Sequence, residues 1–414
     1  MDNSLLFKGP EKINKLIRPV LDSMTKIGIA VDLDILDKLS GELRGKIEIL
    51  EKKAFEALGH MFNLNSPKQL AEVLFVELKL PPAKRTKTGY STDEQTLKNL
   101  LNLHPLIAIL LDYRELYKVQ STYAEALPRA IGSDNRIHSI FQADKTATGR
   151  LTSSEPNLQN IPIRGEWGER IRRAFVPSSG FIFLTADYSQ FEFRILAHFT
   201  GDGKLLSSFE NHIDIHRATA AEIFHKKPAE ITDEERRVAK TVNFGILYGM
   251  SPHGLSEELG IDHEQAQNFI HDYFTSFGTV KFYLENLLRQ ACKKGYIETL
   301  GGFRRYIPEL GSDNLMVRSS GERMAINFPT QGTAAEIMKV AMINLFGRLR
   351  QEKLKSRIIL QIHDELLLEV STGEMEKVKP IVKEEMEGVI KLKVPLKVDL
   401  KLGQNWGEMK EIAE

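Results

Sequence analysis

Four apolar runs with strand character lie far apart in this chain, and long helical patterns fill the gap between the first and the others. They span residues 181–185, 357–362, 366–370 and 394–400, with a further short run at 137–141. A single short strand buries too little to stand alone, so these distant segments are expected to rejoin as one sheet. Helical periodicity marks residues 34–58 and 93–127, then 214–224, 233–247, 263–294 and 320–350. The fold class that follows is α+β, a central sheet with helical lobes on either side.

At 414 residues the chain exceeds one ordinary core, so two or three subdomains are expected. No apolar run approaches the roughly 18 residues of a membrane span, and the start MDNSLLFKGPEKINKL lacks a signal-peptide core. The single cysteine, Cys292, cannot form an internal disulfide. A reducing, cytoplasmic setting without membrane association fits, and a monomer is expected.

Formal charge is zero, which excludes a uniformly basic nucleic-acid binder but not a local basic face. Basic residues do cluster: Lys84, Arg85 and Lys87; Arg170, Arg172 and Arg173; Arg236, Arg237 and Lys240. The first cluster lies between Pro81, Pro82 and Gly89, where structure breaks, with Ser91, Thr92 or Asp93 available to cap a returning helix. A helical hairpin with a basic tip results. Two readings stay open for that tip, a grip on a phosphate backbone or a solvated loop.

RRVAKTVNFGILYG, residues 236–249, sets Arg236, Lys240, Phe244 and Tyr248 four apart, so cations grade into rings along one broad helical face. Such a stripe suits a nucleoside triphosphate, and equally an amphipathic helix with its rings in a core. Two aspartates bear on the choice. FIFLTADYSQFEFR places Asp187 at the end of an apolar strand, and RIILQIHDELLLEV places His363, Asp364 and Glu365 at a polar break between two strands. Carboxylates on strand ends have rigid bases, as required where two Mg²⁺ ions sit about 3.5 to 4 Å apart across a reacting phosphorus. Together with the stripe they imply phosphoryl or nucleotidyl transfer. No Walker loop, Cys/His zinc cluster or G-x-S-x-G elbow competes.

DYSQFE at 187–192, RRVAKTVNFGILYG at 236–249 and HDE at 363–365 resemble, in order and spacing, the three polymerase motifs of family A DNA polymerases. TATGRLTSSEPNLQNIP at 146–162 and GERMAINFPTQGTAAEIMK at 321–339 agree with it. The resemblance runs from about residue 13 to the C-terminus and implies the right-hand polymerase fold, with an antiparallel-sheet palm, helical fingers and a helical thumb. The divisions expected are 1–136 for an N-terminal segment and thumb, 137–205 and 319–414 for the palm, and 206–318 for the fingers. The implied activity is template-directed DNA synthesis, in replication or repair, from dNTPs on a primer-template.

Carried onto matching positions, the resemblance gives Asp187 and Asp364 as ligands of two Mg²⁺ ions, or Mn²⁺ in their place, aided by the Tyr188 carbonyl. Glu365 assists. His216, Arg236 and Lys240 would meet the triphosphate, and Lys240 would donate a proton to the departing pyrophosphate. Glu192 would be the steric gate against a ribose 2′-hydroxyl, with Gln190 as a companion. Phe244 would lie on the nascent base pair, and Tyr248 beside the template base and Glu192. Arg150, Arg323, Asn327, Gln331 and His363 would contact primer-template, mostly through minor-groove acceptors common to correct pairs.

This chain departs from the pattern at Phe191 and Phe193, where Ile and Leu are usual; larger rings there would press on Glu192. Lys145 and Phe328 are also unusual, and Lys145 is expected to add a contact to the DNA backbone. No acidic cluster for a proofreading exonuclease and no 5′ nuclease region is recognisable; Asp32 and Asp34 read as helix-start residues. Two alternatives remain. A single-subunit RNA polymerase is disfavoured by Glu192 and Phe244, and a catalytically silent DNA-binding accessory factor by intact Asp187, Asp364 and Lys240.

Overall fold

In the computed structural model, which describes residues 9–82, 85–86, 89–163 and 165–412, the distant apolar runs do meet. Five antiparallel strands lie in the order Arg357–Ile362, Glu365–Ser371, Phe181–Tyr188, Val398–Gly403, Lys410–Glu411. Phe181–Tyr188 is the middle strand, and Phe183, Leu184 and Ala186 are fully buried. Burial on both faces explains why it reads as a continuous apolar run rather than an alternating one. Helices Pro10–Ile27, Leu315–Gln351 and Met375–Glu387 pack on one another and on this sheet.

Two expected strands differ. The 137–141 run divides at Ser139: Arg136–Ile137 pairs with Ile29–Val31, while Ile140–Gln142 pairs with Thr152–Ser154. Ser139 lies within hydrogen-bonding distance of Ser153 Oγ and the carbonyls of Ser154 and Pro156, which ties the chain down where it changes sheets. Neither half joins the five-stranded sheet. The 394–400 run becomes strand only from Val398, because Pro395 has no N–H to give a ladder.

Helix Leu33–Leu58 starts at Asp32, whose carboxylate accepts from the Asp34 and Ile35 N–H groups. The returning segment at 93–127 is not one helix. Asp93 caps Glu94–Leu100, the chain turns, and His104 caps a second helix, Pro105–Val119, with Pro105 in its first turn. A proline costs least in the first turn, where its missing N–H would be unpaired anyway, and together with the His104 cap it starts the second helix. Likewise 263–294 splits into His263–Ser276 and Gly278–Lys294 around the buried Phe277.

Among the described residues hydrophobic packing falls into three clusters. The largest joins the N-terminal helices to the sheet and its covering helices; the second contains Phe193, Ala239, Val242, Leu247 and Tyr273; the third centres on Ile307, Ala325 and Phe328. The helix bearing the stripe, Asp233–Leu247, belongs to the second. Its start is a capping box, Thr232 accepting from Glu235 N–H and Glu235 accepting from Thr232 N–H. Among the described residues no helix is long and apolar enough to cross a membrane.

Candidate active site

Strands Arg357–Ile362 and Glu365–Ser371 form a hairpin closed by only two residues, His363 and Asp364. Such a tight turn needs a residue at positive φ, and His363 supplies it at 51°. Asp364 is therefore presented at the tip by geometry rather than by a flexible loop. The neighbouring middle strand ends at Asp187 and Tyr188, and the Tyr188 N–H donates to the Asp364 carbonyl at 3.2 Å. That bond clasps together the two acid-bearing segments. Tyr188 is anchored below: its hydroxyl donates to the Met386 carbonyl at 2.6 Å and its ring stacks on Phe191 at 4.1 Å.

Strand register adds acids that flank Asp187. Glu365 is its partner on one side and Asp399 on the other. Asp187 is exposed at the cleft floor but set deeply enough that desolvation, then Asp364 and Asp399, push its carboxyl up to about 6. Burial, then Asp187, pushes Glu365 to about 7 against the pull of Arg172 and Lys401. Asp364 is raised by burial as well. Carboxylates so crowded gain most from a cation of high charge. Among the described residues no three His, Cys, Asp or Glu side chains close a metal cage. Two aspartates with a backbone carbonyl nearby fit Mg²⁺, which takes one or two carboxylates and leaves its other positions to water and substrate phosphate.

Above these acids lies a cleft of about 380 Å³ lined by Arg150, Asp187, Tyr188, Gln190, Phe191, Glu192, Phe193, Phe244, Tyr248, His363 and Asp364. Glu192, only 5% exposed, is held on both oxygens: Arg150 Nη2 donates to Oε1 at 2.6 Å and Tyr248 Oη donates to Oε2 at 2.9 Å. Burial raises its carboxyl, and Arg150 opposes that. Phe191 is buried in the sheet-side core and Phe193 in the helical core, so the rings on either side of Glu192 in sequence pack into different clusters.

The stripe is continuous in space. Lys240 Nζ lies 6.0 Å from the Phe244 ring centre, and the Phe244 and Tyr248 rings lie 5.8 Å apart. Tyr248 falls just past the helix end, and Gly249 at φ 65° lies against the helix Leu315–Gln351 before the chain enters Pro252–Leu259. A Cβ at Gly249 would meet Ile326 at 3.1 Å and Arg323 at 3.3 Å, so glycine is required both for its φ and for this approach. Arg236 forms a two-pronged pair with Asp214, at 3.1 and 2.8 Å, and Gln190 donates to the same carboxylate at 3.3 Å. His216 is buried beside them; burial outweighs Asp214 and, with Lys240 and Arg236, lowers it to about 4.

The profile of DNA polymerase family A matches residues 33–408. The chain belongs to that family. It is 48% identical over 401 residues to DNA polymerase I of Caldicellulosiruptor bescii, covering 97% of this chain and 47% of that protein. With the thermostable DNA polymerase I of Thermus filiformis it shares 48% over 404 residues, 97% of this chain and 48% of the relative. The chain thus spans about half the length of these relatives. The POL domain of Pol1 from M. smegmatis, solved with DNA primer-template and dNTP, superposes with a TM-score of 0.92 at 44% identity, over 95% of this chain and 70% of that one. Family A DNA polymerases are generally dependent on divalent metal ions.

Within this family A chain the remaining expected residues fall in separate places. Arg323, Asn327 and Gln331 recur every four residues on the helix Leu315–Gln351. The Asn327 side-chain oxygen is buried without a partner among the described residues, an acceptor left for a ligand donor. Arg85 is exposed on a two-strand hairpin, paired with Tyr90, and does not line the cleft. Lys84 and Lys87 lie outside the described residues. Sequence reasoning missed Asp214, Asn243, Thr219 and Asp399. Asp214 was detectable as the N-cap of Ile215–Ile223; the partners of the other three depend on packing between elements.

Proposed function

We propose that this chain is a template-directed DNA polymerase that adds deoxynucleotides to a primer 3′-hydroxyl with release of pyrophosphate. The observation that carries this reading is the Tyr188 to Asp364 backbone clasp, which sets two aspartates side by side beneath the cation and ring stripe. Asp187 and Asp364, with the Tyr188 carbonyl, would hold two Mg²⁺ ions, and Mn²⁺ would suit the same donors. When bound, the ions activate the attacking hydroxyl and offset charge on the leaving phosphates. Glu365 supports that set from the adjacent register position.

The chain's own groups do the rest. Arg236 exchanges Asp214 for triphosphate oxygens, Lys240 Nζ neutralises the pyrophosphate and hands it a proton, and His216 hydrogen-bonds beside them. Glu192 occupies the space of a ribose 2′-hydroxyl, with Gln190 near its helix start. Phe244 stacks on the nascent pair and Tyr248 on the template side. Arg150, His363, Arg323, Asn327 and Gln331 grip primer-template, and the basic tip with Lys84, Arg85 and Lys87 holds its backbone. The division into thumb (1–136), palm (137–205, 319–414) and fingers (206–318) rests on the family resemblance; the second core cluster suits the fingers, while the first runs through both thumb and palm.

Primer extension on DNA and RNA templates, with dNTPs or rNTPs, tests this for the wild type against Asp364→Asn. Loss of extension by about a hundredfold or more is expected, since outer metal partners already cost about ten- to a hundredfold. Equal extension by the variant overturns the metal assignment, and equal use of rNTPs removes the gate role of Glu192.

A further inference from the structure

His216 is 5% exposed and sits between three elements, so its ring has little freedom. On one edge its Nδ1 lies 3.1 Å from the side-chain nitrogen of Asn243 on the stripe helix. Asn243 is itself 1% exposed and locked to Thr219, whose hydroxyl lies 3.1 Å from the amide oxygen and 3.0 Å from the amide nitrogen. The Phe193 ring meets the imidazole edge to face, at 5.4 Å and 90°, and Phe244 lies 5.8 Å away at 38°. Phe193 is one of the two rings that flank Glu192 in sequence, and here it wedges the histidine. An amide N–H only donates, so Nδ1 must carry the lone pair, and a neutral ring then holds its proton on Nε2.

We propose that Asn243 is a positioning residue that fixes His216 as the Nε2–H tautomer, with Thr219 anchoring the amide and Phe193 fixing the ring plane. The inference rests on the nucleotide-binding reading of the stripe. Under it, the triphosphate meets two full cations, Arg236 and Lys240, and one neutral donor. A third cation would hold pyrophosphate product as firmly as substrate. The charged groups facing His216 are Asp214 from its own helix end and Arg236 and Lys240 from the stripe helix. Burial keeps the ring neutral near pH 7 against the pull of Asp214, so its contribution to nucleotide binding is flat with pH.

Single-turnover primer extension separates the apparent dNTP Kd from the maximal rate. Asn243→Leu frees the ring to take the other tautomer, and a lost hydrogen bond of this kind weakens apparent Kd by about three- to tenfold. The maximal rate changes less. Asn243→Asp is nearly isosteric, but its carboxylate accepts from Nδ1–H and favours the imidazolium. Its apparent Kd, taken as a ratio to that of the wild type so that titration of the shared carboxylates cancels, is therefore expected to tighten as pH falls from about 8 to 6. A ratio that does not change with pH overturns the proposal. ¹⁵N spectra of the wild type, with the His216 signal assigned by its loss in His216→Gln, give a second readout that does not depend on any Asn243 variant folding. Protonated Nε2 is expected, and protonated Nδ1 overturns the assignment. Failure of the wild type to extend primers would instead refute the polymerase reading itself.

Discussion

Removing one hydroxyl, by Tyr248→Phe, tests how Glu192, the proposed sugar gate, is held. Tyr248 Oη donates to Glu192 Oε2 at 2.9 Å, and Arg150 holds only the other oxygen. Burial raises the Tyr248 hydroxyl well above its ordinary range, so it remains a donor at any working pH. A hydrogen bond to a charged group is worth about 1.5 to 3 kcal/mol. If that energy is what keeps the carboxylate against a ribose 2′-hydroxyl, discrimination falls by roughly ten- to 150-fold, at 1.4 kcal/mol per factor of ten. The assay is kcat/KM for dNTP and rNTP on one primer-template, with the ratio as the readout. A uniform drop in both would show only that ring packing had changed. A ratio within about twofold of wild type, in a variant of unchanged Tm, would refute the claim that the tyrosine holds the gate; Arg150 alone would then suffice.

Glu336→Gln addresses a buried carboxylate away from the chemistry, 4% exposed, with one oxygen accepting from Gly301 N–H and the other without a partner among the described residues. Burial pushes it to about 7, so the folded state binds its proton more tightly than the unfolded chain, and its charge costs stability as pH rises from 4.5 through 7. The variant is expected to be more stable than wild type at pH 8 by about 1 to 3 kcal/mol, with the gain vanishing near pH 4; denaturant unfolding at both pH values measures it. Lys145 is exposed just before the TATGR segment. Lys145→Ala should weaken primer-template binding and reduce the slope of log K against log salt by about one contact. Unchanged affinity across a salt series would remove Lys145 from the DNA interface.

Much of the helical scaffold was legible because its signals are local. The helix starts at Asp32 and Asp93 and the fourfold stripe all depend on residues within one or two turns. Where the reading failed, the deciding signal was punctuation or a distant partner. Pro105 split one expected helix, and Phe277 ended another by packing into a core that only the folded chain has. The 137–141 run looked like one strand because periodicity says nothing about which strand it meets.

By itself the sequence determined the chemistry available: two aspartates at strand ends, a helix grading from cation to ring, and a polar break at His363 to Glu365 between two strands. Tertiary structure alone decided how these groups face one another. It set Glu365 and Asp399 on either side of Asp187, clasped Tyr188 to Asp364, put Asp214 across from Arg236, and brought Asn243 to the back of His216. The physical reason is that helix and turn geometry repeat over a few residues, whereas strand register and buried polar pairing are fixed only when distant segments are packed together.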